Sequence, residues 1–213
     1  MQEIEELVAA FQESKTSFTW YRYAKDPIGL AALCWPETRF YDKQQEILHS
    51  LVENDETIVP AGNMLGKDFV AGVVAVWFFL THNPARIITT SVKDDHLRVL
   101  WGEIGRFLQS SAIPLTTKHG GPLLVNHRDI RKIVNGQLCS ISYLRGMVSE
   151  RGEGMAGHHA RHTLLIIDEA SGVDDLVYTQ GDTWAKKKLI IGNPNPTENF
   201  FKKAVKAGDL LAA

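Results

Sequence analysis

Cysteine is almost missing: the 213 residues hold two, Cys34 and Cys139, far apart and outside any C-x-x-C pair. That excludes a disulfide-stapled scaffold and a cysteine-built zinc site, and it suits two reduced thiols. Long hydrophobic runs are missing too. The longest, "FVAGVVAVWFFL" at 69–80, has 12 residues. A membrane-spanning helix needs roughly 20, so this run is expected to be a buried helix instead. There is no excess of positive charge: the formal net charge is −2 and the pI about 6.4. Bulk charge therefore gives no sign of nucleic acid, and any such contact must come from local patches. The opening stretch "MQEIEELVAAFQES" is acidic and has neither the basic flank nor the cleavage site of a secretory signal, so export is not expected. No internal repeat or low-complexity tract is found. Hydrophobic residues make up 44% and charged ones 23%, the balance of a soluble globular chain with a real core.

The pattern along the chain is one of alternation. Ile4, Leu7, Val8 and Phe11 follow the spacing of an amphipathic helix. Residues 17–41 are aromatic-rich and broken by Pro27 and Pro36; they are expected to be irregular, with a short helix near 27–33. We expect residues 1–40 to form a small helical and irregular subdomain and 41–213 the main core. Helices are expected at 42–53, 66–81 and 94–109. Apolar β-prone runs stand at 56–62, 85–91, 162–171 and 186–196, and Asn135-Gly136 marks a hairpin turn of type I′ within 125–144. The runs "TLLIID" and "KLIIG" are continuous, not alternating, as in central parallel strands covered on both faces. The sum is five main strands interleaved with helices, an α/β fold with a mainly parallel sheet.

Four stretches carry chemistry. "AGNMLGKD" (61–68) departs at two positions from the phosphate-loop pattern G-x-x-x-x-G-K-[ST]. Ala61 stands at the first glycine, with Gly62 beside it, and Asp68 stands where a hydroxyl normally holds Mg²⁺. Asn63, Met64, Leu65 and Gly66 complete a strand–loop–helix junction whose backbone N–H groups suit phosphate, and Lys67 supplies a point charge. "TLLIIDEAS" runs an apolar strand into Asp168 and Glu169, suited respectively to holding a metal and to orienting an attacking water. "LIIGNPNP" ends another strand at Gly192-Asn193, where an amide can reach a γ-phosphate. "RFYDKQQEIL" sets an aromatic beside Gln44, a pair able to stack on and hydrogen-bond an adenine edge. Taken singly, each has a bland reading as a turn, a strand end or a helix start. Their joint order points to a nucleotide site. Asp68 either contacts Mg²⁺ or turns into a helix-start N–H bond.

These four stretches, with "GMAGHHARHTLLIIDEASGV", make residues 38–205 resemble the ATPase domain of tailed-phage terminase large subunits. The resemblance implies a P-loop NTPase of the additional-strand type that uses ATP and Mg²⁺ to drive double-stranded DNA into a procapsid. Carried over by position, Gln44 reads adenine, Lys67 holds phosphate, Asp168 is the metal acid, Glu169 the catalytic glutamate and Asn193 the residue coupling γ-phosphate state to motion. It also implies a homo-oligomeric ring at the portal protein, a small terminase subunit as partner, and the host cytoplasm as location. Such rings complete their sites with an arginine from a neighbour; Arg151 is the candidate chosen over Arg145 and Arg161. Family members usually carry a C-terminal nuclease domain. None is expected within this chain, which reads as an excised or truncated ATPase domain. The rival readings are a helicase-like ATPase and a non-catalytic nucleotide-binding module.

The remaining clusters have plainer readings. His158, His159 and His162 lack a ligand set at metal spacing and are assigned to the loop. Lys186–Lys188, Lys202, Lys203, Lys206 and the hairpin residues Arg128, Arg131 and Lys132 are expected to be solvated surface, with DNA or subunit contact as the alternative. Trp20, Tyr21, Tyr23 and Trp35 are expected to pack rather than stack on bases.

Overall fold

The computed structural model describes residues 20–62, 65–148, 154–195 and 198–207; the expected helix near residues 4–11 lies outside them. The helices are α1 (Pro27–Cys34), α2 (Asp42–Glu53), α3 (Lys67–Thr81), α4 (Asp94–Ser110), α5 (Asp175–Asp182) and α6 (Phe200–Lys206). The strands are β1 (Glu56–Pro60), β2 (Ala85–Ser91), β3 (Leu123–Asn126), β4 (Asp129–Val134), β5 (Gln137–Gly146), β6 (His162–Asp168) and β7 (Lys187–Gly192). They form one sheet in the order β1-β7-β6-β2-β5-β4-β3. Strands β1, β7, β6, β2 and β5 are mutually parallel, and β4 and β3 join antiparallel. The described residues thus form seven strands where five main ones were expected. The surplus is the edge pair β3–β4, each short enough to be read from sequence as part of one hairpin. The turn at 135–136 is of the expected kind, with φ of 52° at Asn135 and 75° at Gly136.

Alternation along the central strands splits the core in two. Ile87, Leu164, Ile166, Leu189 and Ile191 face α1–α4, while Ile88, Leu165, Ile167 and Ile190 face the α5–α6 side. Both faces are covered, which is why these strands read as continuous apolar runs. Asp26 starts α1 by accepting from Gly29 N–H at 2.7 Å, with Pro27 in the first turn. The aromatics of residues 20–41 mostly pack: Trp35 is buried and donates to Phe107 O at 2.8 Å, and Trp77 of α3 donates to Tyr23 O at 2.8 Å. Tyr21 alone of the four stays exposed. Among the described residues no helix is long and apolar enough to cross a membrane.

The lysines correct the sequence reading. Lys188 is buried and paired with Glu56 and Asp182, and Lys187 donates to Val52 O and Asn54 O. They tie β7 to its neighbours instead of forming a solvated face. Lys132 is only 6% exposed; its amine donates to His82 O and lies 4.9 Å from the Phe79 ring centroid. Burial pulls its pKa from 10.5 down to about 7. The unfolded chain therefore binds a proton between about pH 7 and 10.5 that the folded chain does not, so stability rises with pH across that window. Lys132→Met, which cannot be charged, is expected to be more stable than wild type by roughly 4 kcal/mol at pH 7, less the lost bond to His82 O. The advantage should shrink towards pH 10.5, which thermal melts across that range will show.

Candidate nucleotide site

All five parallel strands end at one edge of the sheet, and the β1–α3–β2 crossover passes over β7 and β6. This leaves the ends of β7 and β6 between the loop after β1 and the end of β2, the crevice where α/β sheets take ligands. Ala61 N–H donates to Gly192 O at 3.0 Å, which clips the start of the loop to the end of β7. Gly66 has φ +71° and precedes α3 directly. A side chain there meets backbone strain, and its Cβ would lie 2.8 Å from Gln44 Nε2. Tyr41 OH donates to Leu65 O, and Tyr41 N–H donates to Gln44 Oε1 at 3.4 Å. Gln44 is 5% exposed. Its Oε1 holds the Tyr41 N–H while its Nε2 lies close behind Gly66. Asn63 and Met64 lie outside the described residues.

The charged groups converge. Lys67, 7% exposed, donates to Glu169 Oε1 across 102 positions of sequence. Glu169 stands in the left-handed region at φ 51°, just past the end of β6. A non-glycine residue held there carries strain of the kind found at functional sites. Asp168 is 3% exposed, and its Oδ1 has no hydrogen-bond partner among the described residues. Burial pushes its pKa up to about 7, and Asp68 and Glu169 add to the shift while Lys67 opposes it. Burial also raises Asp68; Lys67 opposes that shift, and Glu169 and Glu103 reinforce it. Three carboxyls thus share one amine in a water-poor crevice, an arrangement short of positive charge.

The donor set fits a hard divalent cation. Among the described residues no three His, Cys, Asp or Glu side chains stand together as a ready metal cluster. One or two carboxylates completed by phosphate oxygens and water is the habit of Mg²⁺. Such a cation would satisfy Asp168 Oδ1, which is buried without a hydrogen-bond partner among the described residues.

Two residues near this site carried no role in the sequence reading. Asn199 donates to Ala170 O at 2.8 Å and Val173 O at 3.1 Å, so it holds the turn that follows Glu169. Its place before "FFKK" reads as a helix cap, but nothing local shows its amide reaching that turn. Ser91 ends β2 opposite Asp168, and the polar run Thr89-Thr90-Ser91 in a buried strand was the available signal. Of the arginines, Arg145 is held by Asp129 through Nε at 3.0 Å and Nη2 at 2.7 Å, and Arg151 lies outside the described residues. His158 donates Nε2–H to Gly154 O at 2.8 Å, pairs through Nδ1 with Tyr143 OH at 2.6 Å, and packs on Trp184. Its surroundings are those of a packing residue.

No family model matches the chain. A probable terminase large subunit of Enterobacteria phage P7 is 28% identical over 192 residues, which is 85% of the chain. The chain spans 37% of that relative's length. The ATPase domain of the Thermus phage P74-26 large terminase superposes with a TM-score of 0.60 at 17% identity, over 78% of this chain and 69% of that one. The large terminase of thermophilic bacteriophage D6E, solved in complex with ADP, gives 0.54 at 15% identity, over 82% and 45%. In sequence over most of its length the chain is similar to a probable phage terminase large subunit, and in fold it is similar to the ATPase domain of another.

Proposed function

We propose that this chain hydrolyses ATP with Mg²⁺ as the motor part of a terminase large subunit, driving double-stranded DNA into a procapsid in the host cytoplasm. The observation that carries the reading is the meeting of Lys67, at the end of the phosphate loop, with Glu169 and Asp168 at the end of β6. Phosphate entering the loop competes with Glu169 for the Lys67 amine. Glu169, released from that ion pair, becomes free to orient water and take its proton. Lys67 then balances charge on the transferred phosphoryl group. A Mg²⁺ ion held by Asp168, with Asp68 in reach, would supply charge neutralisation for the phosphate oxygens. Asn193, just past β7, is the γ-phosphate sensor in this reading. Gln44 is the adenine reader, and Arg151 of a neighbouring copy the finger in trans. The working form is a ring on the portal protein, fed by the small terminase subunit. Similarity to the phage P7 relative and to the ADP-bound D6E protein supports this reading.

Phosphate release from ATP by the intact chain, measured with Mg²⁺ and with chelator, tests the reading. Release above the chelated control is expected, and equal release would overturn it. Replacing Asp68 separates its two possible roles. Asp68→Ser should keep a wild-type Mg²⁺ midpoint, and Asp68→Ala should raise it by roughly tenfold. An unchanged midpoint in both variants removes Asp68 from the metal.

A further inference from the structure

Two buried hydroxyls at the end of β2 have no hydrogen-bond partner among the described residues: Thr90 Oγ1 and Ser91 Oγ. They lie on opposite faces of the sheet. Ile87 belongs to the core on the α3 side and Ile88 to the other, so alternation carries Thr89 and Ser91 to the α3 face and Thr90 away from it. Thr89 on that face is satisfied, since it accepts from Trp101 Nε1 at 2.9 Å. Ser91, two residues on and 1% exposed, is not. Its register partner on β6 is Asp168, on the same face. Two unpartnered buried oxygens, Ser91 Oγ and Asp168 Oδ1, therefore stand on neighbouring strand ends about 5 Å apart at the backbone. Leaving such atoms unsatisfied costs roughly 1–3 kcal/mol each, so the pair calls for a shared guest. The phosphate loop carries a carboxylate at position 68, where a hydroxyl is the usual metal partner.

We infer that Ser91 is a binding residue for the hydrated divalent cation: its hydroxyl acts with Asp168 and supplies, from β2, the hydroxyl that the loop lacks. This inference rests on the nucleotide-site reading above. Its chemistry is a neutral oxygen donor added to a carboxylate, which strengthens cation binding without adding negative charge beside the phosphates.

Mn²⁺ bound to the intact chain with ADP, titrated by electron paramagnetic resonance, tests this without hydrolysis. Ser91→Ala should weaken Mn²⁺ by roughly tenfold, while ADP affinity in chelator stays at the wild-type value. Ser91→Thr, which keeps the hydroxyl, should stay close to wild type, and so should Thr90→Val on the far face. Melting of Ser91→Ala should be no lower than wild type, because no structural hydrogen bond is lost. Wild-type Mn²⁺ affinity in Ser91→Ala alongside a loss in Asp168→Ala would overturn the Ser91 assignment and leave the nucleotide site standing. Wild-type affinity in both would sink the Asp168 metal role as well. Equal weakening in Thr90→Val, or a lowered melting temperature in Ser91→Ala, would assign the effect to strand packing and overturn the inference.

Discussion

Glu169→Gln is expected to slow ATP hydrolysis by roughly 10³-fold, in the range for loss of a positioned general base, and to bind ADP at least as tightly as wild type. The first half follows from chemistry: an amide holds a water but cannot take its proton. The second follows from the ion pair. Lys67 is buried and its amine is engaged by Glu169, so phosphate has to displace a carboxylate before it gains the lysine. Glutamine removes that competitor. The freed amine is not stranded, because Asp68 and Asp168 both interact with it. Single-turnover phosphate release and a fluorescent-ADP titration on the same preparation give the two numbers. A rate drop below about tenfold would remove Glu169 from the proton transfer. Tenfold weaker ADP binding would show that the ion pair does not compete with phosphate.

The helices were readable because their signals are local. The expected bounds 42–53 and 66–81 match Asp42–Glu53 and Lys67–Thr81 to within one residue. In each the apolar spacing and the boundary residues lie within a few positions of one another. The strand "TLLIID" and its two acids were also legible as a buried strand end. The partners across the sheet were not. Lys67 and Glu169 are 102 positions apart, and only the order β1-β7-β6 brings them together. The same holds for Lys188. Its sequence neighbours Lys186 and Lys187 make it look like solvated surface, yet Glu56 from β1 and Asp182 from α5 enclose it. Left-handed φ at Glu169 had no signature either, since glutamate rarely adopts it and no glycine stands there to announce it. Ser91 left only the polar run Thr89-Thr90-Ser91 at the end of an apolar strand as a signal, and nothing in that run names its register partner Asp168.

Gly192→Ala is expected to lower the melting temperature by roughly 5 °C and hydrolysis by about 10²-fold, although the substitution adds one methyl group. In sequence, Gly192 was only the first residue of a turn. In the fold it is a crossing point. Its carbonyl accepts from Ala61 at the start of the phosphate loop. A Cβ on it would lie 2.9 Å from Ala170 N and 3.1 Å from Ser171 N, in the turn that follows Glu169. These are backbone atoms with no rotamer to escape into, so either β7 or the turn has to move, at about 1–3 kcal/mol for overpacking. Either movement changes the spacing between Lys67 and Glu169. Phe201 is the third contact, at 3.3 Å. Adding Phe201→Leu should recover little of the rate, because it leaves the backbone contact in place, and it costs packing of its own, since Phe201 is almost fully buried. Gly62→Ala is the comparison. Among the described residues a Cβ there meets only Leu65 Cδ1, at 3.9 Å, and melting should be close to wild type. Equal rates in Gly192→Ala and wild type would show that the ends of β7 and β6 are free to separate without cost to the chemistry.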